Sequence, residues 1–187
     1  MKKIKYILAI GTISLLILSA CSSKEKNTET MPAVSESVPV ENTSDLTLVL
    51  SHPYEESGQN ISNNDILKVA DELLQEEPDL GVGSDVSFNY TGYWYEEEGT
   101  LYDIFLFVNR SGQTLTDFDF TVSLSHGDQP IFDQYPVKYR EKEFNTLPDK
   151  SVIAVLLPVD EDKATIVKNG DENMSTTMSI SDIQPIN

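Results

Sequence analysis

Cysteine is nearly absent from this sequence of 187 residues, in which Cys21 is the single one. A lone cysteine cannot form an intramolecular disulfide, so the fold must be held together by its hydrophobic core. The two histidines, His52 and His126, are isolated in predicted loops, where a surface position is expected. Zinc sites need closely spaced Cys and His, and nucleophilic hydrolysis needs a base beside an activated Ser or Cys. The sequence shows neither pattern.

Positive charge is also scarce, since 13 Lys and Arg residues face 31 Asp and Glu residues, a formal net charge of −18. Three of the lysines lie in the first 20 residues, so the rest of the chain has 10 against 31, a formal net charge of −21. Nucleic-acid binding requires clusters of Lys and Arg, and docking on anionic lipid requires a basic patch. The composition argues against both and favours a solvated acidic surface that could attract cations or a basic partner.

The N-terminus has no apolar run long enough to span a membrane. Its apolar segment, residues 6–18, follows three lysines and is interrupted only by Gly11, Thr12 and Ser14. With about 13 residues, it is shorter than the roughly 20 needed to cross the hydrocarbon core. Basic residues, a short apolar segment and small residues before a cut together predict a secretory signal peptide over residues 1–20.

The segment Leu18-Ser19-Ala20-Cys21 ends this region. It resembles the lipobox of bacterial lipoproteins, a family in which the cysteine is lipidated and becomes the first residue of the mature protein. The resemblance implies cleavage between Ala20 and Cys21 and a location on the extracytoplasmic face of the bacterial cell membrane. Because the acidic chain does not favour anionic lipid, the lipid on Cys21 would be its attachment, and two or three acyl chains would suffice.

Composition divides the remaining chain into two parts. Residues 21–44 are rich in polar residues and show no period that could bury a face, which predicts a disordered tether. A random coil of this length spans on the order of 25 Å. Residues 45–187 have the size of one domain, and the strand patterns place its core at residues 84–159.

One amphipathic helix is predicted over about residues 63–77. Ser62 and Asp65 have capping-box spacing, and Pro78 ends the pattern. The polar face is acidic, which favours packing on a sheet over membrane binding. The apolar residues at helical spacing are Ile66, Val69, Ala70, Leu73 and Leu74.

Beyond residue 84 the hydrophobic period changes from helical to that of a strand. Residues 101–108 form a nearly continuous apolar run, which predicts a central strand covered on both faces. Residues 118–125 alternate strictly, and Pro136 makes 131–139 an edge strand or a bulge. Further strands are predicted at 46–50, 86–90, 152–157, 165–167 and 174–180. The predicted fold class is mainly β, a single immunoglobulin-like β-sandwich preceded by one short amphipathic α-helix.

A looser pattern extends from Val86 to Val159. The apolar strand ends at Asn109, a polar turn and an alternating strand follow, and a turn with Pro148 precedes the closing strand. This order resembles SLAP-type and related immunoglobulin-like domains of bacterial surface proteins. The resemblance implies the fold and a cell-surface setting, and it implies no catalytic residue. The cysteine pair that joins the sheets of antibody domains is absent.

The segment Tyr93-Trp94-Tyr95 is a candidate binding site and contains the only tryptophan. If these rings are exposed at a hairpin end, they could stack on a sugar or hold a peptide. The alternative is that Trp94 fills the core while the tyrosines bridge core and solvent. No cofactor is predicted.

Oxygen ligands for calcium are abundant, but no acidic cluster follows an EF-hand pattern, so no metal site is predicted. Ordinary solvated carboxylates are the favoured interpretation. The clusters considered are Asp117 with Asp119, Asp160-Glu161-Asp162, and Asp171-Glu172.

Three hypotheses of function follow from the sequence. The first is a non-enzymatic, lipid-anchored envelope lipoprotein whose domain is a binding or assembly module for an envelope protein or a glycan. The second is a carbohydrate- or cation-binding surface enzyme, which predicts a pair of acids with raised pKa values in a concave pocket. The third is an accessory subunit of an export or cell-wall assembly machine, which predicts an exposed apolar patch of more than a few hundred Å2.

Overall fold

The computed structural model describes residues 44–170 and 176–185, the latter by their backbone. The predicted signal peptide, the lipidation site and nearly all of the tether lie outside these residues. Within the described ranges, no helix combines the length and hydrophobicity needed to cross a bilayer. The elements are β1 (Thr47–Val49), α1 (His52–Glu56), α2 (Asp65–Glu76), β2 (Val86–Glu97), β3 (Thr100–Asn109), β4 (Phe118–His126), β5 (Gln129–Tyr139), α3 (Glu141–Phe144), β6 (Ser151–Val159), α4 (Ala164–Asn169) and β7 (Thr176–Pro185).

The strands form two sheets, which confirms the prediction of a mainly β fold. The first sheet has the order β1-β6-β3-β2, in which only β1 and β6 are parallel, and the second is antiparallel with the order β5-β4-β7. Apolar side chains of both sheets form one buried cluster, the inter-sheet core. Phe88 stacks on Phe105 with ring centroids 4.6 Å apart and meets Phe120 of the other sheet edge-on at 5.1 Å.

β3 is the central strand and is buried on both faces, as its apolar run predicts. Phe105 and Phe107 point into the inter-sheet core, whereas Ile104, Leu106 and Val108 belong to a second cluster on the opposite face. The buried residues of α2 cover that second face. Because full burial of a large apolar side chain contributes roughly 1.5–3 kcal/mol, this strand is a major source of the stability of the fold.

The predicted helix is confirmed as α2, but its N-cap is Asn64 and not Ser62. The Oδ1 of Asn64 accepts hydrogen bonds from the backbone N–H groups of Ile66 and Leu67 at 2.9 and 3.0 Å. Asn64 has the extended backbone of a cap residue (φ −129°, ψ 119°), while Ser62 donates its hydroxyl to Asn60 in the preceding turn. The capping-box prediction is wrong by two residues because serine and asparagine are equally good caps in sequence.

Strand β4 shows the predicted alternation of buried and half-buried residues from Phe118 to Leu124. Its neighbour β5 lies at one edge of the three-stranded sheet, and Pro136 pairs with Thr121 there. The register of β5 shifts near Gln134, whose φ is 49°. The segment is therefore both an edge strand and a bulged strand.

Residues 165–167 belong to helix α4, so the prediction of a strand there is wrong. The N–H groups of Ile166 and Val167 donate to the carbonyl of Lys163 in helical turns. The side chain of Val167 is buried in the inter-sheet core. The β-branched residues favour a strand locally, but packing against the end of the core decides their conformation.

Candidate functional site

The aromatic segment lies largely inside the protein. Trp94 is 4% exposed and belongs to the inter-sheet core, while Tyr95 is 5% exposed and belongs to the cluster beneath α2. Tyr93 is half-buried against that second cluster. A bulge in β2 places three residues opposite Ile104 alone, between the pairs formed by Tyr90 and Trp94. Trp94 and Tyr95 therefore form no exposed stacking surface, and the alternative in which Trp94 fills the core agrees with its position.

The least expected residue of the core is Asp103. It is 0% exposed and lies on the inward side of β3, between Leu101 and Phe105, with Trp94 and Leu157 as its partners in register on the two neighbouring strands. Neither carboxyl oxygen has a hydrogen-bond partner among the described residues. Burial raises the pKa of Asp103 to about 7, because a charge is disfavoured where water is excluded.

Two further polar side chains, Tyr90 and His126, lie at the same end of the core. The Oη of Tyr90 is 3.4 Å from Nε2 of His126, and the rings meet edge-on. Burial raises the pKa of Tyr90, and the nearby Asp103 adds to this rise. His126 is 7% exposed, contrary to the predicted surface position, and burial lowers its pKa. We call Asp103, Tyr90 and His126 the polar cluster, and burial favours the neutral form of each member.

Helix α4 lies against this end of the core. The ammonium of Lys168 is 5.7 Å from the centroid of the Trp94 ring and 2.8 Å from Oε2 of Glu96. The backbone after the helix approaches the imidazole so closely that a Cβ on Gly170 would lie 3.4 Å from Nδ1 of His126. The polar cluster is therefore bordered by a short helix as well as by strands.

A separate groove of about 210 Å³ opens between β5 and the end of β6. Its apolar floor continues into the core, since Phe132 contacts both Phe105 and Tyr135. Lys163 also lines the groove, and its Nζ lies 3.2 Å from a carboxylate oxygen of Asp162, which is not part of the lining. The lining residues are Pro130, Ile131, Phe132, Asp133, Tyr135, Pro158, Asp160 and Lys163. An apolar floor with carboxylates at its rim can bind an apolar group that carries a positive charge.

Two of the acids considered for calcium have partners within the protein. The Oδ1 of Asp119 lies 2.6 Å from Nη1 of Arg140, and the Oδ1 of Asp117 accepts a hydrogen bond from the backbone N–H of Glu141 at 2.8 Å. Asp171 and Glu172 lie outside the described residues. No group of three or more Asp, Glu, His or Cys side chains converges as a metal site in the ranges that the structure describes.

Sequence reasoning missed Asp103 because it treated residues 101–108 as a nearly continuous apolar run and gave the one acid in it no role. The signal was present, since a single acid interrupts the run Leu-Tyr-Asp-Ile-Phe-Leu-Phe-Val, and a strand buried on both faces must bury that acid too. The groove had no signal in the sequence, because its walls come from strands that are distant along the chain.

Comparison of the chain with models of known families, with curated proteins and with solved structures gives no match. The resemblances to the lipobox and to immunoglobulin-like surface domains therefore stay predictions. The descriptions of the groove and of the polar cluster rest on the geometry of this structure alone.

Proposed function

We propose that this chain is a cell-envelope lipoprotein, anchored through a lipid on Cys21, whose two-sheet domain is a non-enzymatic binding or assembly module. The motif Leu18-Ser19-Ala20-Cys21 and the predicted signal peptide before it support the anchor. The observation that carries the binding role is the groove between β5 and β6, with its apolar floor and acidic rim.

The chemistry of the groove favours an extended segment of a basic protein partner. Asp133 and Asp160 stand at its rim, and the formal net charge of −21 after residue 20 attracts positive charge over longer distances. β1 pairs with β6 only as far as Ile153, so the later part of β6 continues past it towards the groove. Since Pro158 has no N–H to donate, we expect side chains rather than a full backbone ladder to provide the affinity.

Site-specific photo-crosslinking in intact cells tests this proposal. A benzophenone amino acid replaces Tyr135 in the groove or, as a matched control, Glu72 on the exposed side of α2. We expect a protein adduct from position 135 and none of the same mass from position 72. The double variant D133K/D160K should reduce this adduct at least tenfold, whereas E76K/E77K, with the same change in charge at the C-terminal end of α2, should retain it.

Two outcomes would contradict the proposed binding role. Equal adducts from both positions, or an adduct unaffected by D133K/D160K, would show that the groove does not bind the partner. Failure to recover any partner, together with glycan turnover by the purified domain, would favour the surface-enzyme hypothesis. If the partner is a component of an export or wall-assembly machine, the protein is an accessory subunit of that machine.

The immunoglobulin-like character of the sandwich belongs to the same proposal. If β2, β3, β4, β5, β6 and β7 are equated with strands A, B, C, C′, E and F, the sheets become A-B-E and C′-C-F with every pair antiparallel. These neighbours are those of an immunoglobulin sandwich, which supports the assignment. β1 and α2 are additions to that plan, and no described strand occupies the position of G beside β7.

The surface-enzyme hypothesis needs two acids with raised pKa values in a concave site. Asp103 has a raised pKa, but it is enclosed in the core, and its neighbours in register are Trp94 and Leu157 rather than a second acid. No observation in the described part of the chain therefore favours catalysis over binding.

A further inference from the structure

The proposed binding role does not use Asp103. An unpaired carboxyl group in an apolar core costs free energy, and an apolar side chain of similar size would avoid that cost. Both of its oxygens lack a partner among the described residues. Such a residue converts a change in pH into a change in the stability of whatever covers it.

Within the part of the chain that the structure describes, the surroundings of Asp103 supply no compensating charge. Burial alone accounts for its raised pKa, with no contribution from a cation. Tyr90 and His126 favour their neutral forms, and the ammonium of Lys168 is paired with Glu96. The titratable or charged groups on the surrounding elements are Tyr90, Tyr93, Tyr95, Glu96 and Glu97 on β2, Tyr102 on β3, Asp119 and His126 on β4, Asp133, Tyr135, Lys138 and Tyr139 on β5, Asp160, Glu161, Asp162 and Lys163 after β6, and Lys168 on α4.

Among the elements that border the polar cluster, helix α4 is held in place by the fewest interactions. It has six residues, far fewer than a helix needs to be stable by itself, and no side chain caps its N-terminus. Val167 anchors it in the core, while the ion pair between Lys168 and Glu96 is partly exposed and contributes little. Displacing α4 breaks fewer interactions than separating two sheets, so it is the route by which water can reach Asp103.

We propose that α4 and the polar cluster beneath it form a proton-controlled cap, in which loss of the proton from Asp103 favours displacement of α4 and hydration of the carboxylate. The protonated carboxyl group can stay in the core, whereas the carboxylate requires water. The closed cap is therefore the acidic form. This proposal needs no binding partner and is independent of the proposed function.

The direction and range of the pH response follow from the two states of Asp103. Its pKa is about 7 in the closed state and 3.8, the ordinary value, once hydrated. The contribution of Asp103 to opening is therefore unaffected by pH below about 4, increases from there to about 7, and is constant above. Because each pKa unit corresponds to a tenfold change in equilibrium constant, the total increase is about a thousandfold at most. Protonation of His126 acts in the opposite sense, favouring opening at acidic pH.

Hydrogen exchange of the full chain at pH 4.5 and 8.0, corrected for the intrinsic exchange rates, tests the proposal. In the wild type, protection of the amides of residues 164–169 should fall by ten- to a thousandfold from the lower to the higher pH. D103N keeps the shape of the side chain but cannot ionise, so this fall should disappear. D119N removes an acid that is paired with Arg140 on the outside of β4 and should keep the wild-type response.

Three results would contradict the proposed proton-controlled cap. The first is the same pH response in the wild type and D103N. The second is equal loss of protection in β3 and α4, which would indicate global unfolding. The third is titration of the Asp103 carboxyl near pH 4 in a carbon NMR spectrum of the wild type, a measurement that needs no variant. If D103N does not fold, D103L replaces it in the same comparison.

Discussion

At the scale of single residues, the buried carboxyl group of Asp103 lowers the stability of the core. Its folded pKa is raised to about 7 from 3.8, so its favourable contribution is full below pH 4 and lost as the pH rises to 7. We expect the free energy of unfolding of D103L to increase relative to the wild type by roughly 3 kcal/mol between pH 4.5 and pH 8. Urea denaturation at both pH values measures this. A difference that does not change with pH would mean that Asp103 ionises normally.

Asn109, at the opposite end of β3, is a buried polar residue with every group satisfied. Its Nδ2 lies 2.7, 2.9 and 3.0 Å from the carbonyl oxygens of Gln113, Leu147 and Pro148, and its Oδ1 accepts from the N–H and hydroxyl of Ser111. It thereby joins the end of β3 to two loops. The Asn at a strand end, noted in the sequence as part of a resemblance, thus has a physical role.

N109D should destabilise the protein more than N109A does. Aspartate would place a carboxylate oxygen against three carbonyl oxygens. Alanine only removes the hydrogen bonds made by Asn109, because the carbonyls of Leu147 and Pro148 keep donors in the N–H of Leu115 and the hydroxyl of Ser151. We expect a loss of about 1–3 kcal/mol for N109A and about 3 kcal/mol or more for N109D at pH 7, measured by urea denaturation. N89A, at a half-buried asparagine of β2 with fewer hydrogen bonds, is the control and should cost less than either. Equal losses for N109A and N109D would contradict the assigned hydrogen bonds.

At the scale of elements, the start of α2 distinguishes two caps that the sequence presents as equals. N64A removes the acceptor for two backbone N–H groups and should cost about 1 kcal/mol. S62A removes only a hydroxyl in an exposed turn and should change stability by no more than about 0.5 kcal/mol. Chemical denaturation of the pair measures both. A larger loss in S62A would restore the capping-box prediction.

Elements were predictable where local pattern and tertiary packing agree. The strict alternation of β4 and the helical period of α2 both specify a face, and each buries that face. The prediction of a strand at Ile166 and Val167 was wrong because their β-branched side chains favour a strand while packing at the end of the core favours a helical turn. The parallel pairing of β1 with β6 had no local signal, since Leu48 and Val152 meet across most of the domain's sequence.

The same contrast applies to the candidate sites. Trp94 and Tyr95 are adjacent in sequence, and only the bulge in β2 and the two opposed clusters show that both are buried. The burial of Asp103 could be predicted from the sequence. Its lack of a hydrogen-bond partner could not, because this depends on residues of two neighbouring strands and of the other sheet. The groove depends on where β5 begins and β6 ends, which no periodicity encodes.

At the scale of the whole molecule, the net charge bears on the proposed lipidation. The chain after residue 20 has a formal net charge of −21, since 10 Lys and Arg residues face 31 acids, so an anionic lipid surface repels it. α2, the one long amphipathic helix described, uses its apolar face to cover β3 and does not offer it to lipid. The attachment that remains in the proposal is the acyl group on Cys21.

C21A should therefore abolish lipid anchoring. We expect the variant either to be released from the membrane or to persist as an unprocessed precursor. The precursor should be about 2 kDa heavier than the processed polypeptide without lipid, since it retains the roughly 20 residues of the predicted signal peptide. Membrane fractionation, detergent phase partition and intact mass measure this, and the mass distinguishes a precursor held by its own apolar segment from a lipidated protein. S23A, a neighbouring change outside the motif, should behave as the wild type does. Unchanged membrane retention of a processed C21A protein would contradict the lipobox, because neither charge nor α2 provides another attachment.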